Sequence, residues 1–207
     1  MASSAICPGA QKLAEAFRKL PGIGPLSAQR IVFQLLMEEN REGARELARA
    51  LEEAAERVRR CPVCNTLCEG ELCPVCADET REKDKICVVE TPADEQVIEN
   101  SLSYRGRYFV LGGRLAPVDG VGPGELGFAK LLERAADPLV KEVIIATSFT
   151  AQGDATAHFV ARALARRRPD VRVTRLARGI PLGVELEYTD VATVAQAVIS
   201  RREAKES

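Results

Sequence analysis

Histidine is almost missing from these 207 residues: His158 stands alone, inside a stretch that reads as helix, and it reads as an ordinary helix residue rather than a catalytic base. No Gly-x-Ser-x-Gly elbow presents a serine nucleophile. Gly120-Val121-Gly122-Pro123-Gly124 lacks the Lys-Ser/Thr ending of a phosphate-binding loop and reads as a turn-rich connection. Nowhere do ~18 apolar residues run consecutively, and no charged segment followed by an apolar one opens the chain, so a soluble intracellular protein is expected. A dominant charge is absent too. The 29 Lys and Arg face 30 Asp and Glu, for a net charge of −1, which excludes a uniformly basic nucleic-acid binder. The imbalance along the chain is mild: ten cations against eight anions in residues 1–60, three against six in 61–88. There is no internal repeat and no low-complexity tract.

What is present is cysteine in a pattern. Cys61-Pro62-Val63-Cys64 is followed, eight residues on, by Cys73-Pro74-Val75-Cys76. Each half supplies two thiolates on a turn stiffened by proline, and the two together make the four-sulfur tetrahedron of a structural zinc ion. Four thiolates leave no open position for water, so the ion is scaffold and not catalyst. Two disulfides are the rival reading, set against the modest cysteine density and expected intracellular setting. A redox pair is the other, although that motif normally occurs once and opens a helix of a βαβ unit. Cys68 lies between the knuckles as a possible competing ligand. Cys7 is isolated, and Cys87 reads as a small buried residue in a strand.

Residues 10–60 carry apolar stripes at three- and four-residue spacing, first Leu13, Ala14, Phe17 and Leu20, then Ala28, Ile31, Val32, Leu35 and Leu36, then Ala44 to Val58. These are helices. From residue 86 short apolar runs alternate with helical stretches: strands at 86–90, 108–111, 143–146 and 171–176, helices to about Asn100, near 125–136, at 155–167 and at 191–201. That order implies a largely parallel sheet covered by helices. The expected fold is an α+β chain of several parts: a helical region at 1–60, a four-cysteine knuckle at 61–80, an α/β domain at 81–176, and a C-terminal loop and helix at 177–207. Residues from Arg202 are expected to fray.

Between the first two helices stands Leu20-Pro21-Gly22-Ile23-Gly24-Pro25. The two glycines permit positive φ in a tight turn, Ile23 can anchor into the helix pair, and Pro25 suits the first turn of the next helix. Such a turn can set backbone N–H groups against a phosphate without reading bases. It resembles a helix-hairpin-helix DNA-binding element, with Arg18, Lys19 and Arg30 as the cations nearby. The alternative is a turn that merely packs two helices.

Glu90 ends the first strand, where open parallel sheets place functional residues, and a helix follows. This resembles the start of a Toprim domain. Catalytic members hold magnesium with two further aspartates at a later strand end, but Val143-Ile144-Ile145-Ala146-Thr147-Ser148-Phe149 offers no carboxylate there. Glu90 with Asp94 and the distant Asp154 is a poor set of ligands for a hard dication. The structural readings are Glu90 as a polar residue at a sheet edge or subunit contact, and Asp154 as the cap of a helix beginning near Ala155. Arg166-Arg167-Arg168 reads as a solvated helix end rather than a DNA patch.

Taken in order, LPGIGPLSAQR (20–30), the four-cysteine module with CPVCADETR (73–81), ICVVETPAD (86–94), GRYFVLGG (106–113), LAPVDGVGP (115–123) and GIPLGVELEYTD (179–190) resemble the RecR family of recombination mediators along nearly the whole chain. The resemblance implies a non-enzymatic protein of recombinational DNA repair, a ring-like homotetramer that encloses DNA. Its partners would be RecO and RecF, with which it helps load RecA on single-stranded DNA, in the bacterial cytoplasm and associated with the nucleoid. It further implies Zn2+ on Cys61, Cys64, Cys73 and Cys76, DNA contacts from Arg18, Lys19, Gly22, Gly24 and Arg30, and Glu90 with Asp94 as the Toprim carboxylate region, a possible partner contact. Leu26, Gln152 and Val184 stand where the family usually has Lys, Glu and Gly. The alternatives from other classes are a small metal-dependent Toprim nuclease or topoisomerase-like enzyme, and a protein scaffold that does not bind DNA.

Overall fold

The computed structural model describes residues 6–201, and the chain divides into two units, Met1–Val58 and Arg59–Ser207. The tail from Arg202 lies outside the described residues.

The first unit is helical: α1 (Pro8–Phe17), α2 (Pro25–Met37) and α3 (Glu42–Arg57). Pro8 and Pro25 each open a helix where their missing N–H costs no bond. α1 packs on α2, and Ala10, Ala28 and Val32 are buried. The third stripe is different. α3 has no buried residue, and Leu47 and Leu51 remain 37% and 61% exposed.

The second unit begins with the knuckle, formed by a short antiparallel pair, β1 (Arg59–Arg60) and β2 (Leu67–Cys68), and a single turn, α4 (Pro74–Ala77). A four-stranded sheet follows, made of β3 (Lys85–Val89), β4 (Arg107–Val110), β5 (Glu142–Ile145) and β6 (Arg172–Arg175) in the order β4-β3-β5-β6. Every pairing is parallel, as the alternation of strands and helices predicts. The connecting helices are α5 (Pro92–Asn100), α6 (Phe128–Ala135) and α7 (Ala151–Arg167), and α8 (Val191–Ile199) comes last.

From Ile86 to Val89, β3 is apolar at every position because both its faces are covered. Ile86 and Val88 join Phe109, Leu111, Val143 and Ile145 under α6 and α7, through Leu131, Val160 and Leu164. Cys87 and Val89 join Tyr108 and Val110 on the other face, against Ile98 of α5 and Val75 of the knuckle. The chain leaves β3 for β4 on one side and returns to β5 on the other, so the connections part at the C-terminal ends of β3 and β5. In open α/β sheets that divergence forms the ligand crevice. The sheet-edge reading of Glu90 is corrected by this order, since β3 lies between two neighbours.

α7 starts four residues earlier than expected, and its N-cap is Thr150, whose hydroxyl accepts from the Gly153 amide at 3.1 Å. Asp154 therefore is not the cap. Arg168 is not merely solvated at the helix end: its guanidinium donates to the carbonyls of Ala135, Asp137 and Val140, fastening α7 to the end of α6. No helix among the described residues is long and apolar enough to cross a membrane.

Candidate functional site

The knuckle is built from two turns. In the first, the Asn65 amide donates to the Cys61 carbonyl at 2.9 Å, and Asn65 takes a left-handed φ of 66°. In the second, Cys73 caps α4, its sulfur accepting from the Cys76 amide at 3.4 Å. The four sulfurs of Cys61, Cys64, Cys73 and Cys76 lie within 4.8 Å of one another, and those of Cys64 and Cys73 are 3.4 Å apart. A zinc ion with bonds of ~2.3 Å needs sulfurs roughly 3.8 Å apart, so the cluster has the right size.

Its protons point the same way. The Cys76 thiol is pulled down to about 5, chiefly by its bond with Cys64 and also by the charge of Arg134, while the same bond pushes Cys64 up. Burial raises Cys73 to about 12. Four crowded thiols cannot all ionise unaided; a dication among them removes that conflict. The donor set suits zinc.

All seven cysteines are free, so the disulfide reading is not the arrangement seen. Cys68 stands outside the group of four and points its thiol at the Gly70 carbonyl. Cys87 is buried in β3, where desolvation pushes its thiol up to about 12.

The knuckle is bound into the sheet domain. The Val110 amide donates to the Cys64 carbonyl at 2.8 Å, and the Asn65 side chain returns a bond to the Val110 carbonyl at 2.7 Å. These occupy the otherwise open edge of β4. Below, the Thr66 hydroxyl meets the buried Glu95 carboxyl of α5 at 2.5 Å, and burial keeps that carboxyl above its usual range.

In the first unit, the turn between α1 and α2 is closed by the Ile23 amide donating to the Leu20 carbonyl at 3.3 Å. Of the two glycines in this turn, Gly22 uses the left-handed region, at φ 80°. Gly24 is extended and is the N-cap of α2, so of the two glycines that permit positive φ one uses it. Arg18, Lys19 and Arg30 are exposed, and none makes an ion pair among the described residues. Leu26 is exposed as well, at the first turn of α2.

At the divergence of the sheet, Glu90 follows β3 and is buried. Its Oε1 accepts from the Ser148 amide at 2.8 Å and from the Ser148 hydroxyl at 2.9 Å, while Arg114 lies 3.6 Å from Oε2. At this crevice one oxygen of the Glu90 carboxylate is thus taken up by Ser148, just beyond β5. Asp94 serves the backbone instead. Its Oδ2 accepts from the Thr91 amide and hydroxyl, each at 2.8 Å, completing a capping box for α5.

Beside this point, Asp154 receives Arg175 at 2.6 Å and Arg178 at 3.0 Å. These guanidiniums, Arg175 foremost, hold its carboxyl below the usual range. The same two cations lie against the Phe149 ring, 4.6 and 4.4 Å from its centre. Sequence reasoning missed Ser148, Arg114, Arg175 and Arg178. Only the run Thr147-Ser148, lying where a catalytic Toprim domain would carry acids, signalled that the partners of Glu90 would be found there.

Four family models match the chain in succession: the RecR helix-hairpin-helix over residues 10–55, the RecR four-cysteine zinc finger domain over 58–78, the Toprim domain over 84–177, and the RecR C-terminal model over 179–202. With the hairpin, the four-sulfur cluster and the parallel sheet present in that order, the chain belongs to the RecR family.

Proposed function

We propose that this chain is a DNA-binding recombination mediator that acts in recombinational repair without making or breaking bonds. It works as a ring-like homotetramer around DNA in the bacterial cytoplasm, associated with the nucleoid. With RecO and RecF it helps load RecA on single-stranded DNA. Cys61, Cys64, Cys73 and Cys76 hold one structural Zn2+ per chain. Arg18, Lys19 and Arg30, with the backbone of Gly22 and Gly24, contact phosphates, and the region of Glu90 and Asp94 contacts a partner. The division into parts at residues 60, 80 and 176 belongs to the same reading.

The observation that carries it is the ordered set of RecR modules, which supports a mediator role in an architecture that is in general non-enzymatic. The hairpin cations, exposed and without an ion pair among the described residues, add to it. So does α3, whose uncovered leucines suit assembly with further copies. A monomer of net charge −1 binds DNA poorly. Four hairpins around one channel multiply the phosphates neutralised, and the binding constant then falls steeply with salt.

The test is DNA binding by the tetramer across a salt series, with its mass followed by light scattering. Arg30→Ala should weaken all sequences alike and flatten the slope of log K against log salt by about one for each phosphate no longer neutralised. An unchanged slope and affinity would refute the hairpin assignment. Magnesium-dependent nicking of plasmid, abolished by Glu90→Gln, would favour a Toprim enzyme; Ser148 and Arg114, not carboxylates, as the neighbours of Glu90 speak against it.

A further inference from the structure

Arg134 comes from α6, some seventy residues along the chain from the knuckle, yet its guanidinium is lodged against it. Nη1 donates to the carbonyl of Val63 at 3.2 Å and also to that of Tyr108 in β4. Val63 sits inside the turn between Cys61 and Cys64. Nη2 is buried and has no hydrogen-bond partner among the described residues. An arginine remains charged whatever its surroundings, and a buried donor left without an acceptor is costly. A negative charge nearby would account for both.

A tetrathiolate centre supplies that charge. Four thiolates around one Zn2+ carry a net charge of about −2, on a cluster whose members are themselves nearly all buried.

We propose that Arg134 is a positioning residue of the metal centre: it pins the Cys61–Cys64 turn through the Val63 carbonyl, and its guanidinium offsets the charge of the metal-bound thiolates. This rests on the reading of the four cysteines as a zinc site. It also makes α6 of the Toprim domain part of the metal site. Partners of metal ligands typically carry 10- to 100-fold of the affinity. A residue that only braced the fold would matter equally with and without metal.

The experiment uses the full chain as purified, with Arg134→Met and Arg134→Lys beside the parent. Zinc content is measured, release of zinc to a chromogenic chelator is timed, and thermal midpoints are recorded for loaded and chelator-stripped samples. Arg134→Met should release zinc about tenfold faster or more, and its gain in midpoint on loading should be smaller than the parent's. Arg134→Lys keeps the charge but not the two-carbonyl fork, so it should fall between. Release at the parent rate, or an equal loss of midpoint in loaded and stripped forms, would overturn the proposal while leaving the zinc site standing. A parent protein that carries and takes up no zinc would overturn the zinc site and the role of Arg134 with it. Should Arg134→Met fail to fold, Arg134→Lys decides alone: faster release supports the proposal, and the parent rate overturns it.

Discussion

The carboxylate of Glu90 and the backbone amide of Ser148 meet at 2.8 Å, across the gap where the connections of β3 and β5 part. The Ser148 hydroxyl binds the same oxygen at 2.9 Å. The carboxylate at the point where an open α/β sheet would receive a ligand is here bound by the protein's own chain.

That contact has a measurable worth. Glu90→Leu would leave the Ser148 amide without its acceptor and should destabilise the protein by about 1–3 kcal/mol. Glu90→Gln keeps an oxygen there and should cost less. Urea unfolding of both variants is the check; equal and negligible losses would show that the contact does not hold the loop.

Gly153 tests the same loop from the other side. A Cβ at that position would lie 2.1 Å from the Ser148 carbonyl oxygen and 2.4 Å from its hydroxyl. Glycine to alanine inside a helix ordinarily favours folding by up to ~1 kcal/mol. Backbone displacement here should outweigh that, so Gly153→Ala is expected to lower stability by about 1–3 kcal/mol. A higher urea midpoint would mean that the loop yields without cost.

Asp154 imposes a pH dependence of known sign. Its carboxyl is depressed in the folded protein by Arg175 and then Arg178, so its contribution is fully present above the unfolded value of about 3.9 and is lost as pH falls through the lower folded value. Asp154→Asn should therefore be less stable than the parent at pH 6, and the difference should close as pH drops below the usual carboxylate range. A gap that stays constant in urea titrations through that range would contradict the pairing.

The knuckle has almost no apolar core of its own, only Val63 and Val75 packed against the sulfurs. Metal binding must then supply much of its folding energy. Replacing Cys73 and Cys76 together by alanine should abolish bound zinc, expected at about one ion per chain, and lower the thermal midpoint. Full stability in a protein with far less than stoichiometric metal would refute the site.

The local chemistry was legible in residue order. The proline at the first turn of α2, the spacing of the four cysteines and the apolar run of β3 all depend on neighbours within a few positions. Contacts between distant segments were not. Nothing near Asp154 in the chain announces Arg175 and Arg178, and its place at the start of α7 reads as a cap because both roles use the same carboxylate. Arg134 looks like any helix cation until α6 is laid beside the knuckle.

By itself the sequence determined which elements form, that a four-sulfur cluster is available, and that no acid follows β5, because helix and strand periodicity, turn chemistry and ligand spacing are short-range properties of the chain. Only the tertiary structure decided that β3 is interior, that Ser148 binds the carboxylate of Glu90, and that α6 reaches the knuckle. Strand order and the meeting of polar groups 21 to 71 residues apart are set by how the faces of helices and sheet bury their apolar surface, which no local pattern encodes.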